Sequence, residues 1–201
     1  MRIGGLEKFS LVDFPGKVAA VVFTQGCNFR CCYCHNPQLV YPHLYNSVLS
    51  FDYVMQFLQK RQKQLDGVVV SGGEPTLQQG LIPFIAKLKQ LGYLIKLDTN
   101  GSKPSILYKL ISGSLVDYIA MDIKTSLANY SKVCGCQINI ADIKRSIRLI
   151  EYSGINYQFR ITYDTKIIRS SDLESIKRMI KNPGQLVVQE CINKDKLSLQ
   201  V

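Results

Sequence analysis

Short runs of β-branched and aromatic residues alternate along this chain with stretches in which apolar residues recur every three or four positions. The runs predict six strands, at residues 18–24, 67–71, 93–98, 116–123, 157–162 and 185–189. Between them, apolar stripes at helical spacing mark helices: Phe51, Val54, Met55 and Leu58; Leu81, Phe84, Ile85, Leu88 and Leu91; Ile143, Ile147 and Ile150; Leu173, Ile176 and Ile180. These stripes are core faces rather than cofactor sites. Boundary chemistry agrees with the periodicity. Gly92 stands just past the second helix, Pro104 near the start of the third, and Ser171 three residues before Glu174 forms a capping box. Strand and helix in strict alternation predict an α/β fold of parallel strands joined by helices.

At 201 residues the chain suits one domain, 1–201, with a sizeable core. It shows no repeat, linker or low-complexity segment. No apolar run approaches 18 residues, so no spanning helix is expected, and the opening MRIGGLEKF lacks the apolar centre of a signal peptide. Seven cysteines, an odd number without an export signal, suit a reducing compartment better than a disulfide framework, so a cytoplasmic location is expected. The formal charge of +10 raises the question of nucleic acid. Its distribution argues against that: Lys and Arg lie along helix faces, at residues 59–64, 87–90 and 144–148, with no interleaved aromatics. An acidic protein or a nucleotide-loaded partner is the functional alternative to a merely solvated surface.

The chemistry of the chain concentrates in QGCNFRCCYCHNP, directly after the first predicted strand. Cys27, Cys31 and Cys34 stand at CxxxCxxC spacing, close enough to wrap one metal centre. Thiolates favour soft metals, which leaves zinc, an iron–sulfur cluster, or cysteines gathered incidentally. A structural zinc site needs a fourth ligand, and no second CxxC or histidine pair is present. His35 adjoins Cys34 and Cys32 adjoins Cys31, where the backbone would strain to bring both neighbours to one ion. The loop therefore reads as a three-ligand site, and a cubane held by three thiolates keeps one iron open to a small molecule.

Other polar motifs fall at the ends of successive predicted strands: Gly72-Gly73-Glu74-Pro75 after the second, Asp98-Thr99-Asn100-Gly101 after the third, and Asp122 with Lys124 after the fourth, while Arg160 lies within the fifth. Strand ends are where β/α barrels assemble reacting groups. Two glycines permit close backbone approach to a ligand, and the acid after them can accept from a ligand ammonium. Asp122 and Lys124, two residues apart, point to one side and are suited to a zwitterionic nucleoside. Taken singly, each motif also reads as a turn or an ion pair.

CxxxCxxC with an aromatic directly before its last Cys, followed by GGEP, resembles the radical S-adenosylmethionine superfamily. Within it, GGLEKFSLVDFPGK, GCNFRCCYCHNP, SGGEPTLQ, LDTNG and YIAMDIKT resemble the activating proteins of anaerobic ribonucleoside-triphosphate reductase and other glycyl radical enzymes. The resemblance implies a partial (β/α)6 TIM-type barrel. It implies that Cys27, Cys31 and Cys34 bind three irons of a [4Fe–4S] cluster whose fourth iron takes the amino and carboxylate groups of S-adenosylmethionine. Tyr33 and Asn36 would border the adenine, and Gly72, Gly73 and Glu74 would receive the methionine ammonium. Thr99, Asp122, Lys124 and Arg160 match positions that contact carboxylate, ribose or nearby backbone. Asn100 belongs to the same cofactor-binding set. Asp98, Thr99 and Asp122 also resemble a monovalent-cation site, and Asp98 would attract the sulfonium.

The family mechanism needs no side-chain acid or base, so no catalytic side chain is expected. A reduced cluster cleaves the sulfonium, and the resulting 5′-deoxyadenosyl radical takes a hydrogen atom from a glycine of the partner. The implied partners are a glycyl radical enzyme, first the anaerobic ribonucleotide reductase, and a flavodoxin- or ferredoxin-type electron donor. Two alternatives stay open: a small-molecule enzyme resembling 7-carboxy-7-deazaguanine synthases, and a non-catalytic zinc or cluster module. Cys134, Cys136 and Cys191 read as small apolar residues, and Tyr152, Tyr157 and Tyr163 as core or rim residues rather than radical carriers.

Overall fold

The computed structural model describes residues 1–190, so Cys191 lies outside the described residues. Seven strands form one sheet in sequence order: β1 (Ile3–Ser10), β2 (Ala19–Thr24), β3 (Gly67–Gly72), β4 (Leu94–Thr99), β5 (Tyr118–Asp122), β6 (Asn156–Tyr163) and β7 (Leu186–Glu190). β1 runs antiparallel to β2, and every later pair is parallel. The parallel pairs are linked by α1 (Phe51–Lys60), α2 (Leu81–Gln90), α3 (Pro104–Ser112), the short α4 (Tyr130–Cys134) with α5 (Ile140–Glu151), and α6 (Ser170–Met179). Six parallel strands, each passing to the next through a helix, make the partial (β/α)6 barrel expected from the sequence.

Period-two alternation explains what the strands do with their two faces. Val22, Val70, Leu97, Met121 and Ile161 belong to the large core under the helices, where Leu58, Phe84, Leu107, Ile147 and Ile176 meet them. The intervening residues face the interior of the curved sheet. At its lower end Ala19, Val21 and Val69 pack beneath Phe14 in a small separate apolar cluster. At its upper end the interior positions turn polar: Ser71, Asp98, Asp122, Arg160 and Thr162. The same alternation that builds the core thus delivers polar groups to the barrel mouth.

Two expectations are corrected. β1 was not anticipated, because IGGLEKFS carries two glycines and a mixed burial pattern in place of clean alternation. Bulges at both ends of its pairing with β2 break the register further. The capping box lies two residues earlier than Ser171 and Glu174. Arg169 is the N-cap, and its N–H donates to Asp172 Oδ2 at 3.0 Å. Asp172 is fixed in that place from outside the helix, since Ser126 Oγ and Asn129 Nδ2 both donate to its other oxygen. Glu174 instead sits on the exposed face and pairs with Lys177 at 2.9 Å.

Candidate active site

Strand β2 ends at Thr24, and the chain turns directly into the cysteine loop, which is held from three sides. The backbone N–H of Gly73 donates to Thr24 O and that of Glu74 to Gly26 O, both at 2.8 Å. A Cβ on Gly73 would lie 2.1 Å from Gly26 O, so only glycine allows this approach. The glycine pair therefore also clamps the entrance of the cysteine loop by backbone contact. Tyr33 Oη donates to Lys124 O at 2.9 Å, which anchors the loop to the end of β5. Behind the loop, Arg30 N–H donates to Cys134 O at 2.8 Å.

Cys27, Cys31 and Cys34 line one cavity of about 380 Å3, within the range of about 300–1,000 Å3 usual for small-ligand sites. Tyr33, Asn36, Gly72, Gly73, Asp98, Thr99, Asn100, Asp122, Lys124 and Arg160 line the same cavity. Thirteen of the fourteen residues singled out by the sequence thus meet at one mouth. Cys32, the neighbour set aside, is exposed and stands outside it. The sequence reading passed over Asp13, Phe23, Ser71, Thr162 and Gln189, which also line the cavity. Ser71 carried a signal in its position directly before the glycine pair; Gln189 carried none beyond its place in the last strand.

Glu74 is the exception. It is fully buried behind the cavity wall. Thr76 N–H donates to its Oε1 at 3.0 Å and Thr99 Oγ1 at 2.8 Å, Thr76 Oγ1 adds a third bond, and Asn100 N–H donates to Oε2 at 2.6 Å. Burial pushes its pKa up despite these donors. The carboxylate thus ties the loop after β3 to the loop after β4.

Five charges run across the cavity floor in alternating sign. Lys96, almost fully buried on β4, pairs with Asp98. Arg160 Nη1 reaches Asp98 Oδ2 at 3.2 Å, and its Nε reaches Asp122 Oδ1 at 2.8 Å. Lys124 Nζ closes the series on Asp122 Oδ2 at 3.0 Å. Ser71 Oγ donates to Asp98 at 3.0 Å. Burial alone would raise the Asp122 pKa, but Lys124 and Arg160 outweigh it and hold the carboxyl well below the usual range. In this run three cations face two carboxylates, and Asp13 brings a third carboxylate to the same cavity. Asp98, Thr99 and Asp122, the residues of the expected cation site, line the cavity together. Both carboxylates are paired with protein cations, and the Thr99 hydroxyl is given to Glu74.

The thiols differ among themselves. Burial pushes the Cys27 pKa up to about 12, although Phe29 N–H donates to its sulfur at 3.3 Å. Cys31 is drawn down to about 7, chiefly by a hydrogen bond with the Cys134 side chain. Burial raises Cys34. Among the described residues no three His, Cys, Asp or Glu side chains converge as a single metal ion would require. Three thiols facing one roomy cavity with glycine backbone and Lys124 beside them fit a cluster with an exposed iron and a zwitterionic ligand.

The Radical SAM superfamily model matches residues 21–182, and the chain belongs to that superfamily. A relative from Methanocaldococcus jannaschii, provisionally named a glycyl-radical enzyme activating enzyme, is 33% identical over 199 residues, which cover 96% of this chain and 81% of that one. The pyruvate formate-lyase-activating enzyme of Clostridium pasteurianum is 34% identical over 128 residues, 61% of this chain and 52% of its own length. The solved structure of Streptococcus suis SuiB bound to S-adenosylmethionine superimposes with a TM-score of 0.64 at 12% identity, covering 87% of this chain and 43% of that one, a likeness of fold. No helix among the described residues is long and apolar enough to cross a membrane.

Proposed function

We propose that this protein is a radical S-adenosylmethionine activase that installs a glycyl radical on a partner enzyme, and that the partner is anaerobic ribonucleoside-triphosphate reductase. The observation that carries the reading is the meeting of the three-cysteine loop and the ends of β3, β4, β5 and β6 at one cavity mouth. Identity with the M. jannaschii relative across nearly the whole chain supports the activase assignment. The resemblance of KFSLVDFPGK and LDTNG to reductase activating proteins supports the partner.

Cys27, Cys31 and Cys34 hold the cluster. The chemistry supplied when cluster and S-adenosylmethionine are bound is one-electron cleavage of the sulfonium, with hydrogen-atom removal from glycine as the outcome. The chain's own work is placement. The backbone of Gly72 and Gly73 faces the ligand ammonium. Glu74 fixes that backbone from behind rather than meeting the ligand, because its oxygens are taken by Thr76, Thr99 and Asn100. Lys124 supplies a cation for the ligand carboxylate, while Asp122 and Arg160, locked to each other, offer polar edges to the ribose. Tyr33 and Asn36 border the base.

The test is anaerobic reconstitution, reduction through a flavodoxin-type donor, addition of S-adenosylmethionine, and electron paramagnetic resonance of the reductase. A glycine-centred doublet with matching 5′-deoxyadenosine is the expected result. A radical on pyruvate formate-lyase alone would move the partner, and turnover of a pterin without any protein would replace the activase reading.

A further inference from the structure

The loop after β4 meets the cysteine loop through one buried side chain, that of Asn100. The backbone around it is held from two directions. Its own N–H donates to Glu74 Oε2 at 2.6 Å, and the carbonyl of the next residue, Gly101, accepts from the buried Ser146 Oγ of α5 at 2.6 Å. Gly101 itself stands at a left-handed φ of 74°, which turns the chain sharply just past Asn100.

Within that frame the Asn100 amide has one orientation. Its Oδ1 accepts from Ser102 N–H at 2.9 Å, which leaves Nδ2 facing the cysteine loop. There the two amide hydrogens meet two acceptors, Asn28 Oδ1 at 3.0 Å and Cys27 Sγ at 3.9 Å. An amide nitrogen donates only, and sulfur accepts from it as thiol or as metal-bound thiolate alike. From its own loop Cys27 Sγ also accepts from Phe29 N–H at 3.3 Å. Reduction of a cluster adds negative charge that its sulfurs share. Donors aimed at those sulfurs stabilise the more negative state and are among the factors that set potential.

We infer that Asn100 is a positioning residue for the metal centre, donating a side-chain N–H to the Cys27 sulfur and raising the reduction potential of a cluster held there. The inference rests on the reading of Cys27, Cys31 and Cys34 as cluster ligands, and it assigns the Asn100 amide to the cysteine loop instead of the nucleoside ligand. Asn28 provides an internal control. Its exposed side chain takes the other Asn100 hydrogen and donates to Ser102 Oγ at 3.0 Å, so it braces the two loops without being the donor to Cys27.

The experiment compares wild type with Asn100→Asp, Asn100→Leu and Asn28→Ala, all full length, reconstituted anaerobically and titrated potentiometrically at pH 8 without S-adenosylmethionine, with the reduced-cluster resonance as readout. Equal iron content is expected in all four. Aspartate keeps the oxygen that accepts from Ser102 N–H, so the turn survives while the donor is replaced by an ionised acceptor. Leucine keeps similar bulk with no polar atom. The potential should fall in both Asn100 variants and stay at the wild-type value in Asn28→Ala. Unmoved potentials in both Asn100 variants overturn the inference. An equal fall in Asn28→Ala overturns it too, by tracing the effect to loop bracing, and so does loss of iron from both Asn100 variants. Failure of the underlying reading is seen separately: wild type would form no cluster, or Cys27→Ala would keep one.

Discussion

The backbone N–H of Asn100 donates a 2.6 Å hydrogen bond to Glu74 Oε2, joining the loop after β4 to the loop after β3. Glu74 Oε1 takes its own donors from Thr76 and Thr99. Glu74→Ala strands these groups in a buried place, and each orphan donor costs about 1–3 kcal/mol. Glu74→Gln retains shape, yet its amide presents N–H to donors on one side. Both variants should lose about 3 kcal/mol or more in urea unfolding, with glutamine the milder. Wild-type stability in either would remove Glu74 from its bracing role and return it to direct ligand contact.

Cys27→Ala, Cys31→Ala and Cys34→Ala should each lose the cluster, whereas Cys32→Ala should keep it. Cys32 is exposed and does not line the cavity. Iron and sulfide content with the visible absorption of the reconstituted protein decides between them. Equal loss at Cys31 and Cys32 would contradict the ligand set.

Much of this arrangement was legible in the sequence, for a physical reason. Strands β2 to β6 announce themselves because residues buried beneath helices must be apolar, and the motifs announce the mouth because each follows a strand end. What stayed hidden depends on contacts distant in sequence. The role of Glu74 is set by Asn100, 26 positions later. The pairing of Asp98 with Arg160 spans 62 positions. β1 is an edge strand whose glycines and bulges leave no alternation to read. Cys134 looked like a small core residue, and the bond its carbonyl accepts from Arg30 N–H emerges only when α4 folds behind the loop.

Arg160 stands between Asp98 and Asp122 and serves both. Because Asp122 titrates below its unfolded value of 3.8, its contribution to stability is fully present above about pH 4 and is lost as pH falls through the depressed folded value. The stability gap between wild type and Asp122→Asn should therefore be widest near neutrality and narrow below pH 4. Arg160→Leu removes one of the two cations that hold the carboxyl down. In that background the gap should be smaller at every pH. Urea unfolding between pH 3 and pH 7 tests this, and a gap that widens on acidification would reverse the assignment.

Lys124 separates backbone duty from side-chain duty. Its N–H donates to Tyr130 Oη of α4 at 3.2 Å and its carbonyl accepts from Tyr33 Oη of the cysteine loop at 2.9 Å, so truncation of the side chain preserves both backbone bonds. The ammonium, by contrast, pairs with Asp122 Oδ2 at 3.0 Å and lies at the cavity wall. Without it, a ligand carboxylate at that wall loses the ammonium nearest to it. Lys124→Ala should leave iron content unchanged and weaken S-adenosylmethionine binding about tenfold, equivalent to about 1.4 kcal/mol. Lys124→Arg should recover part of that loss, since charge matters more than shape at this place. Equilibrium dialysis on the anaerobic, cluster-loaded protein measures the affinity. Unchanged binding in the alanine variant would free Lys124 from ligand contact, and loss of iron would show that its side chain supports the cluster loop instead.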